Sequence, residues 1–388
     1  MATHRPLVRA NGRITQLPVG DRLYGEWPPL GAVVHLMSDA PQIELDGRVF
    51  LRSGSPLVPM PDRWPEWADV IAGPQAEVWE LGTSAFGGTV IRGVATDGTG
   101  TWVAVGSSGK LARSTDSGST WAMGTSGFGT ATIWGVTTDG TGTWVAVGGS
   151  GNGTLARSTD NGLAWELGTS GFGISAIQGV ATDGTGTWVA VGGGGKLARS
   201  TDNGSTWAMG TSGFGTSTIR GVTTDGTGTW VAVGDGGRLA RSTDNGLTWE
   251  LGTSGFGGTV IRGVATDGTG TWVAVGGSGK LARSTDNGLA WELGTSGFGT
   301  STIWGVTTDG TGTWVAVGDG GRLARSTDNG LAWELGTSGF GTSSINCVAT
   351  DSNGTWVAVG SSTNLARSTP QPMVGIPDHT PGQYARVA

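Results

Sequence analysis

From about Trp79 to Thr369 the chain repeats one pattern of apolar and polar positions. In the unit that starts at Thr89, TVIRGVATDGTGTWVAVGSSGKLARSTDSGSTWAMGTSGFG, four short runs rich in β-branched, Leu and Trp residues are separated by DGTG, SSG and DSGS. Those separators are turn sequences, because Gly and Asn/Asp tolerate positive φ at little steric cost. Each unit is predicted to hold four strands, a (TVIRGVAT), b (TWVAVG), c (KLARST) and d (TWAMGT). No unit places its apolar residues at helical spacing.

The strand d tryptophans Trp79, Trp121, Trp165, Trp207, Trp249, Trp291 and Trp333 are spaced by 42, 44, 42, 42, 42 and 42 residues. The one longer step comes from GGSGNGTLA at Gly148 to Ala156, two residues longer than GSSGKLA at Gly106 to Ala112, which is loop-like. A period of this size with several short strands per unit is that of a propeller blade. Trp79 belongs to a strand d with no a, b and c before it, whereas the unit from Ser344 to Thr369 has no strand d and runs into Pro370. The two ends complement each other, so the strand around Val78 to Thr83 is expected to complete the blade begun at Ser344. The expected fold is all-β: a seven-bladed propeller of four-stranded blades with velcro closure at residues 75–370. It follows a small, Pro-rich β-type module at residues 1–74 and precedes a C-terminal tail at 371–388.

Between strands c and d stands Ser114-Thr115-Asp116-Ser117-Gly118-Ser119-Thr120-Trp121, which matches S-x-D-x-G-x-T-W, and copies begin at Ser158, Ser200, Ser242, Ser284 and Ser326. Over about three quarters of its length the chain resembles the Asp-box, or bacterial neuraminidase repeat, propellers. In that family the box is a folding element. The resemblance thus implies a structural role for Asp116, Asp160, Asp202, Asp244, Asp286 and Asp328. Physically, such a carboxylate can accept backbone N–H groups within the turn, while the box Trp packs between blades.

Differences between units concentrate in two places. Before and into strand a, equivalent positions hold Arg92, Trp134, Gln178, Arg220, Arg262, Trp304 and Asn346. The b–c turn also varies and ends on Lys110, Thr154, Lys196, Arg238, Lys280, Arg322 and Asn364, of which the Lys and Arg are read as solvated turn residues. Alternate turns of an up-and-down blade lie on opposite rims, so the d–a and b–c connections share one face. On that face Trp suits stacking on a pyranose, and Arg, Gln and Asn suit hydroxyls or carboxylates. The seven residues before and into strand a are the candidate ligand-binding set. Drift after duplication of blade pairs explains the same variation, since GGTVIR recurs at Gly87 and Gly257.

Composition narrows the function classes. A formal charge of -7 supplies no basic character to attract nucleic acid or anionic lipid. Glycine, at 76 residues, signals many tight turns, because 19 tryptophans argue against simple disorder. Cys347 is the single cysteine, which permits no internal disulfide and no cysteine-based metal site. Neither a secretory apolar core nor a stretch of about 20 apolar residues is found. No metal, cofactor or membrane insertion is expected.

Sialidases with Asp boxes carry an arginine cluster, a tyrosine nucleophile and acidic partners. Here Tyr24, Tyr384, His4, His35 and His379 all lie outside the repeats. Almost every acid in the blades recurs as a repeat position; apart from Glu77, only Asp235 and Asp319 on the variable face fall outside those series. A catalytic role is therefore not expected. The first 74 residues hold ten of the 14 prolines, a hairpin read at Gln42 to Leu51 around Asp46-Gly47, and a strand at Gly31 to Met37. LVRANGRITQLPVGDRL and IELDGRVFLRSGSPL there resemble segments of phage tail-fibre and related virion proteins. That resemblance implies a non-enzymatic virion protein, assembled in the host cytoplasm as a homo-oligomer. Its N-terminal module would dock to other virion proteins and its propeller would bind a host-surface glycan. The alternative is a bacterial scaffold resembling the photosystem-assembly propellers, with protein partners. A sialidase-like glycoside hydrolase is the third reading.

Overall fold

The computed structural model describes residues 78–368 except 150, 151 and 352, together with the backbone of five short strands between residues 7 and 59. The chain divides into two units, Glu77–Pro370 on one hand and Met1–Ala76 with Gln371–Ala388 on the other.

The larger unit is a seven-bladed β-propeller with four antiparallel strands per blade. Blades 1 to 6 span residues 91–124, 133–168, 177–210, 219–252, 261–294 and 303–336, and blade 7 joins 345–368 to 79–82. In blade 1, strand a is Ile91–Thr96, b is Trp102–Gly106, c is Leu111–Ser114 and d is Ala122–Gly124. Burial explains the wording of each strand. Strand b lies between two neighbouring blades and is buried at every residue, hence its unbroken apolar run. Strand d forms the outer edge and is exposed throughout.

The blades hold one another. Val103, Val105 and Leu111 of blade 1 pack with Phe128, Ile133, Trp144 and Ala156 of blade 2. Val357, Val359 and Leu365 of blade 7 pack in the same way with Phe86, Ile91, Trp102 and Trp121 of blade 1. The core is thus a series of slabs between blades, and the box tryptophan belongs to such a slab, as expected. The closure expected between the two ends is formed, with Leu365 opposite Gly82, Ala366 opposite Leu81, Arg367 opposite Glu80 and Ser368 opposite Trp79.

Each box turn is locked by its own side chains. Asp116 Oδ1 accepts Ser114 Oγ at 2.7 Å and the Thr120 amide at 2.9 Å, and its Oδ2 accepts the Thr120 hydroxyl at 2.6 Å. At Gly118, φ is +80°, which an L side chain adopts only with strain. The box tryptophan donates Nε1 to the Gly118 carbonyl at 3.0 Å. In blades 2 to 6 the following asparagine ties the turn to the preceding blade. Asn161 Oδ1 accepts Trp144 Nε1 at 2.9 Å, while its Nδ2 donates to Thr101 Oγ1 at 3.0 Å and Asp97 Oδ2 at 3.3 Å of blade 1. Its carbonyl accepts Arg113 Nε at 2.8 Å.

In the smaller unit, Gln42–Leu45 pairs with Arg48–Leu51 across Asp46-Gly47, the hairpin read from the sequence. A second hairpin, Leu7–Ala10 with Arg13–Gln16 around Asn11-Gly12, was not anticipated, although Asn-Gly is a strong two-residue turn signal. The strand expected at Gly31 to Met37 and the tail at 371–388 lie outside the described residues.

Candidate functional site

The seven candidate residues share one backbone feature. In every blade the pairing of strands a and b shifts register between the first and third residues of strand a, so the second residue is an extra one. Arg92 lies between Ile91 and Gly93, and Trp134, Gln178, Arg220, Arg262, Trp304 and Asn346 occupy the same bulge in blades 2 to 7. A bulge re-aims its side chain and interrupts the ladder, which makes it a tolerant position for variation. The first residue of the b–c turn sits against this bulge. Its amide bonds the carbonyl just before strand a, as Ser107 does to Val90 at 2.9 Å and Asp235 to Thr218 at 2.9 Å. The d–a and b–c connections therefore share one face. On the other, the box meets the a–b turn, with the Asn161 amide bonded to the Gly142 carbonyl at 3.0 Å.

All seven residues are half-buried, and two pairs of them touch between adjacent blades. The Arg92 guanidinium lies 4.8 Å from the centroid of Trp134, and that of Arg262 lies 4.5 Å from Trp304. Both are cation–π geometries between adjacent blades. Arg220 forms a two-pronged pair with Asp235, at 2.8 Å from Nε and 3.0 Å from Nη2. Trp304 Nε1 donates to Asp319 Oδ1 at 2.6 Å, and the same oxygen accepts Ser344 Oγ at 2.9 Å. Across the seam Asn346 Nδ2 donates to the Ile91 carbonyl at 2.8 Å.

Charge is distributed unevenly on this ring. Burial pulls the pKa of Arg92 below its ordinary value. Burial acts on Arg262 likewise, with Arg220 adding to it and Asp235 and Asp319 opposing it. Arg92 Nε, Arg262 Nε and Trp134 Nε1 are buried donors with no hydrogen-bond partner among the described residues. Such donors are uncommon, because each carries the desolvation cost of an unmade hydrogen bond.

Inside the ring the third residue of strand a is a glycine in blades 1 to 6, and a Cβ at Gly93 would lie 3.4 Å from the Trp134 carbonyl oxygen. Blade 7 has Cys347 there; its Sγ donates to the Val94 carbonyl at 3.8 Å, and burial pushes its thiol pKa up. The cationic residues after the b–c turn differ from expectation. Lys110, Lys196 and Lys280 are not simply solvated but donate to the carbonyls of Phe86, Phe172 and Phe256 at 2.5, 2.6 and 2.8 Å. Arg238 and Arg322 bond Phe214 and Phe298 in the same way. They brace the d–a loops. Among the described residues no group of three or more His, Cys, Asp and Glu is placed to hold a metal ion.

No known family profile and no curated protein matches this chain. In fold it is similar to a structure titled "YCF48 bound to D1 peptide", with a TM-score of 0.62 and 17% identity over 76% of this chain and 95% of that one. A similar likeness holds for YCF48 from Cyanidioschyzon merolae, with a TM-score of 0.61 and 18% identity over 75% and 98%. A streptogramin B lyase structure has a TM-score of 0.67 and 10% identity over 77% and 99%. At these identities the likeness establishes the fold class, a seven-bladed propeller, in agreement with the sheet order of the chain itself.

Proposed function

We propose that the protein is a non-enzymatic binding propeller that holds a polypeptide partner on the ring formed by the seven strand a bulges. The observation that carries this reading is the confinement of variation. Variation between the blades concentrates on one face, where each blade carries Arg, Trp, Gln or Asn at its strand a bulge, and all seven bulges line one ring. A polypeptide suits it because planar, half-buried Arg and Trp side chains are the usual anchors of protein interfaces. One fold neighbour is titled as bound to a peptide, which supports the reading by analogy of fold alone. Non-enzymatic action is supported by the two acids of this face, Asp235 and Asp319, which are engaged with Arg220, Trp304 and Ser344.

A second reading, a virion receptor head for a host glycan, draws on the two ring tryptophans and on the N-terminal wording. Each of those rings already carries a guanidinium on one face, which takes up a surface that a pyranose would use. Selection of a displayed random-peptide library on the full-length protein separates the readings. Selected peptides are expected to bind the wild type and to lose about tenfold or more on the W134A/W304A double variant with its thermal unfolding unchanged. Equal binding to both forms would remove the ring as the site. Retention on a glycan array without any selected peptide, together with recovery of the protein from purified virions, would establish the second reading instead.

A further inference from the structure

Two Arg-over-Trp pairs stand on the ring, and only one of them holds a carboxylate on its tryptophan. In blades 5 and 6, Arg262 lies over Trp304, Trp304 Nε1 donates to the Asp319 carboxylate at 2.6 Å, and Asp235 and Asp319 both act on Arg262. In blades 1 and 2, Arg92 lies over Trp134 in the same way, but the turn positions that correspond to Asp235 and Asp319, in blades 7 and 2, hold Ser361 and Gly149. Among the described residues Trp134 Nε1 and Arg92 Nε are left without an acceptor; Arg262 Nε shares that lack, so what separates the two copies is the carboxylate that Trp304 Nε1 has and Trp134 Nε1 does not. Arg220, the remaining ring arginine, is closed by its two-pronged pair with Asp235.

We propose that the arc formed by Asn346, Arg92 and Trp134 in blades 7, 1 and 2 is the anchor point of the ring, and that it takes a carboxylate from an acidic segment of the partner polypeptide. This rests on the ring-binding reading above and goes further by naming the arc and the group. The protein itself displays the chemistry that fits, since Asp319 is a carboxylate seated on an Arg-over-Trp pair one half-turn of the ring away. A charged acceptor is favoured over a neutral one, because hydrogen bonds to an ionised oxygen are roughly twice as strong as neutral ones. The two donor atoms are screened from bulk water, so satisfying them takes a group that enters the arc as the half-buried Arg92 and Trp134 side chains rotate. A peptide carboxylate is favoured over a sugar acid because Arg92 covers one face of Trp134.

The test uses the full chain and three fluorescent probes in anisotropy titrations at low and physiological salt: an acetylated tetraglutamate peptide, its tetraglutamine counterpart and a tetraglucuronate. Tetraglutamate is expected to bind about tenfold or more tightly than tetraglutamine, with R92Q removing that preference. Ser107→Asp should pair Arg92 as Asp235 pairs Arg220, fill the arc from within and abolish binding at an unchanged unfolding temperature. Asp319→Ser should do the reverse and raise the stoichiometry from one peptide to two. Tetraglutamate binding that survives S107D, or no tetraglutamate binding at all, would overturn the proposal. Binding of tetraglucuronate alone would overturn it in favour of an acidic sugar. If R92Q binds tetraglutamate like the wild type while W134A/W304A does not, the arc is wrong and the ring reading stands.

Discussion

At Ser117 a single side chain distinguishes blade 1 from blades 2 to 6. In blades 2, 3, 4 and 6 the box asparagine bridges its own strand b tryptophan and the aspartate of the preceding a–b turn, as Asn203 does between Trp188 and Asp139. Serine is too short for that span. Its two would-be partners, Trp102 Nε1 and Asp351 Oδ2, are both buried without a hydrogen bond among the described residues. Ser117→Asn is expected to restore the bridge and raise stability by about 1–2 kcal/mol, measured by urea denaturation. Position 117 carries φ +58°, which asparagine occupies at its counterparts, Asn161 among them with φ +61°. This substitution was readable in the box wording, but its meaning was not. Asp97 and Asn161 are 64 residues apart, and no local pattern announces that they meet.

The strands themselves were largely legible. Unbroken apolar runs marked each strand b, Gly and Asp marked the turns, and the tryptophan spacing marked the closure at Trp79. The bulge in strand a was not, because one extra residue is visible only against the partner strand it fails to match. Nor was the tether of Lys110, whose acceptor is a backbone carbonyl 24 residues upstream. The site was legible as a set of variable positions; its internal pairs were not, although Asp235 and Asp319 stood out as acids without a repeat partner in most blades. The closing strand offers an element-scale prediction. Trp79 is 8% exposed and packs with Leu323, Phe340 and Ala366. Trp79→Ala is expected to cost about 3–5 kcal/mol, with the amides of Leu365 to Ser368 losing hydrogen-exchange protection first.

Across the whole molecule the same carboxylate device recurs in six turns. The Thr206 hydroxyl, the Thr206 amide and Ser200 pull the Asp202 pKa from 3.8 to about 2, and Asp244 is held at about 2 mainly by the Thr248 hydroxyl and amide. Asp116, Asp160, Asp286 and Asp328 are lowered as well. A carboxylate whose folded pKa is depressed adds stability above its unfolded value and loses it as pH falls through the folded one. Acid unfolding is therefore expected to set in between about pH 4 and about 2, shown by tryptophan fluorescence, and to begin at higher pH in D202N/D244N.

The closing joint has a different kind of consequence. Strand c reads Leu-Ala-Arg-Ser in every blade, from Leu111–Ser114 to Leu365–Ser368, and the closing strand meets its partner in the register used elsewhere, where Leu111 faces Gly124 as Leu365 faces Gly82. The joint carries no record of how many units lie between its two halves. Gain or loss of a whole unit would leave both ends matched, so the seam itself places no condition on the number of blades it closes.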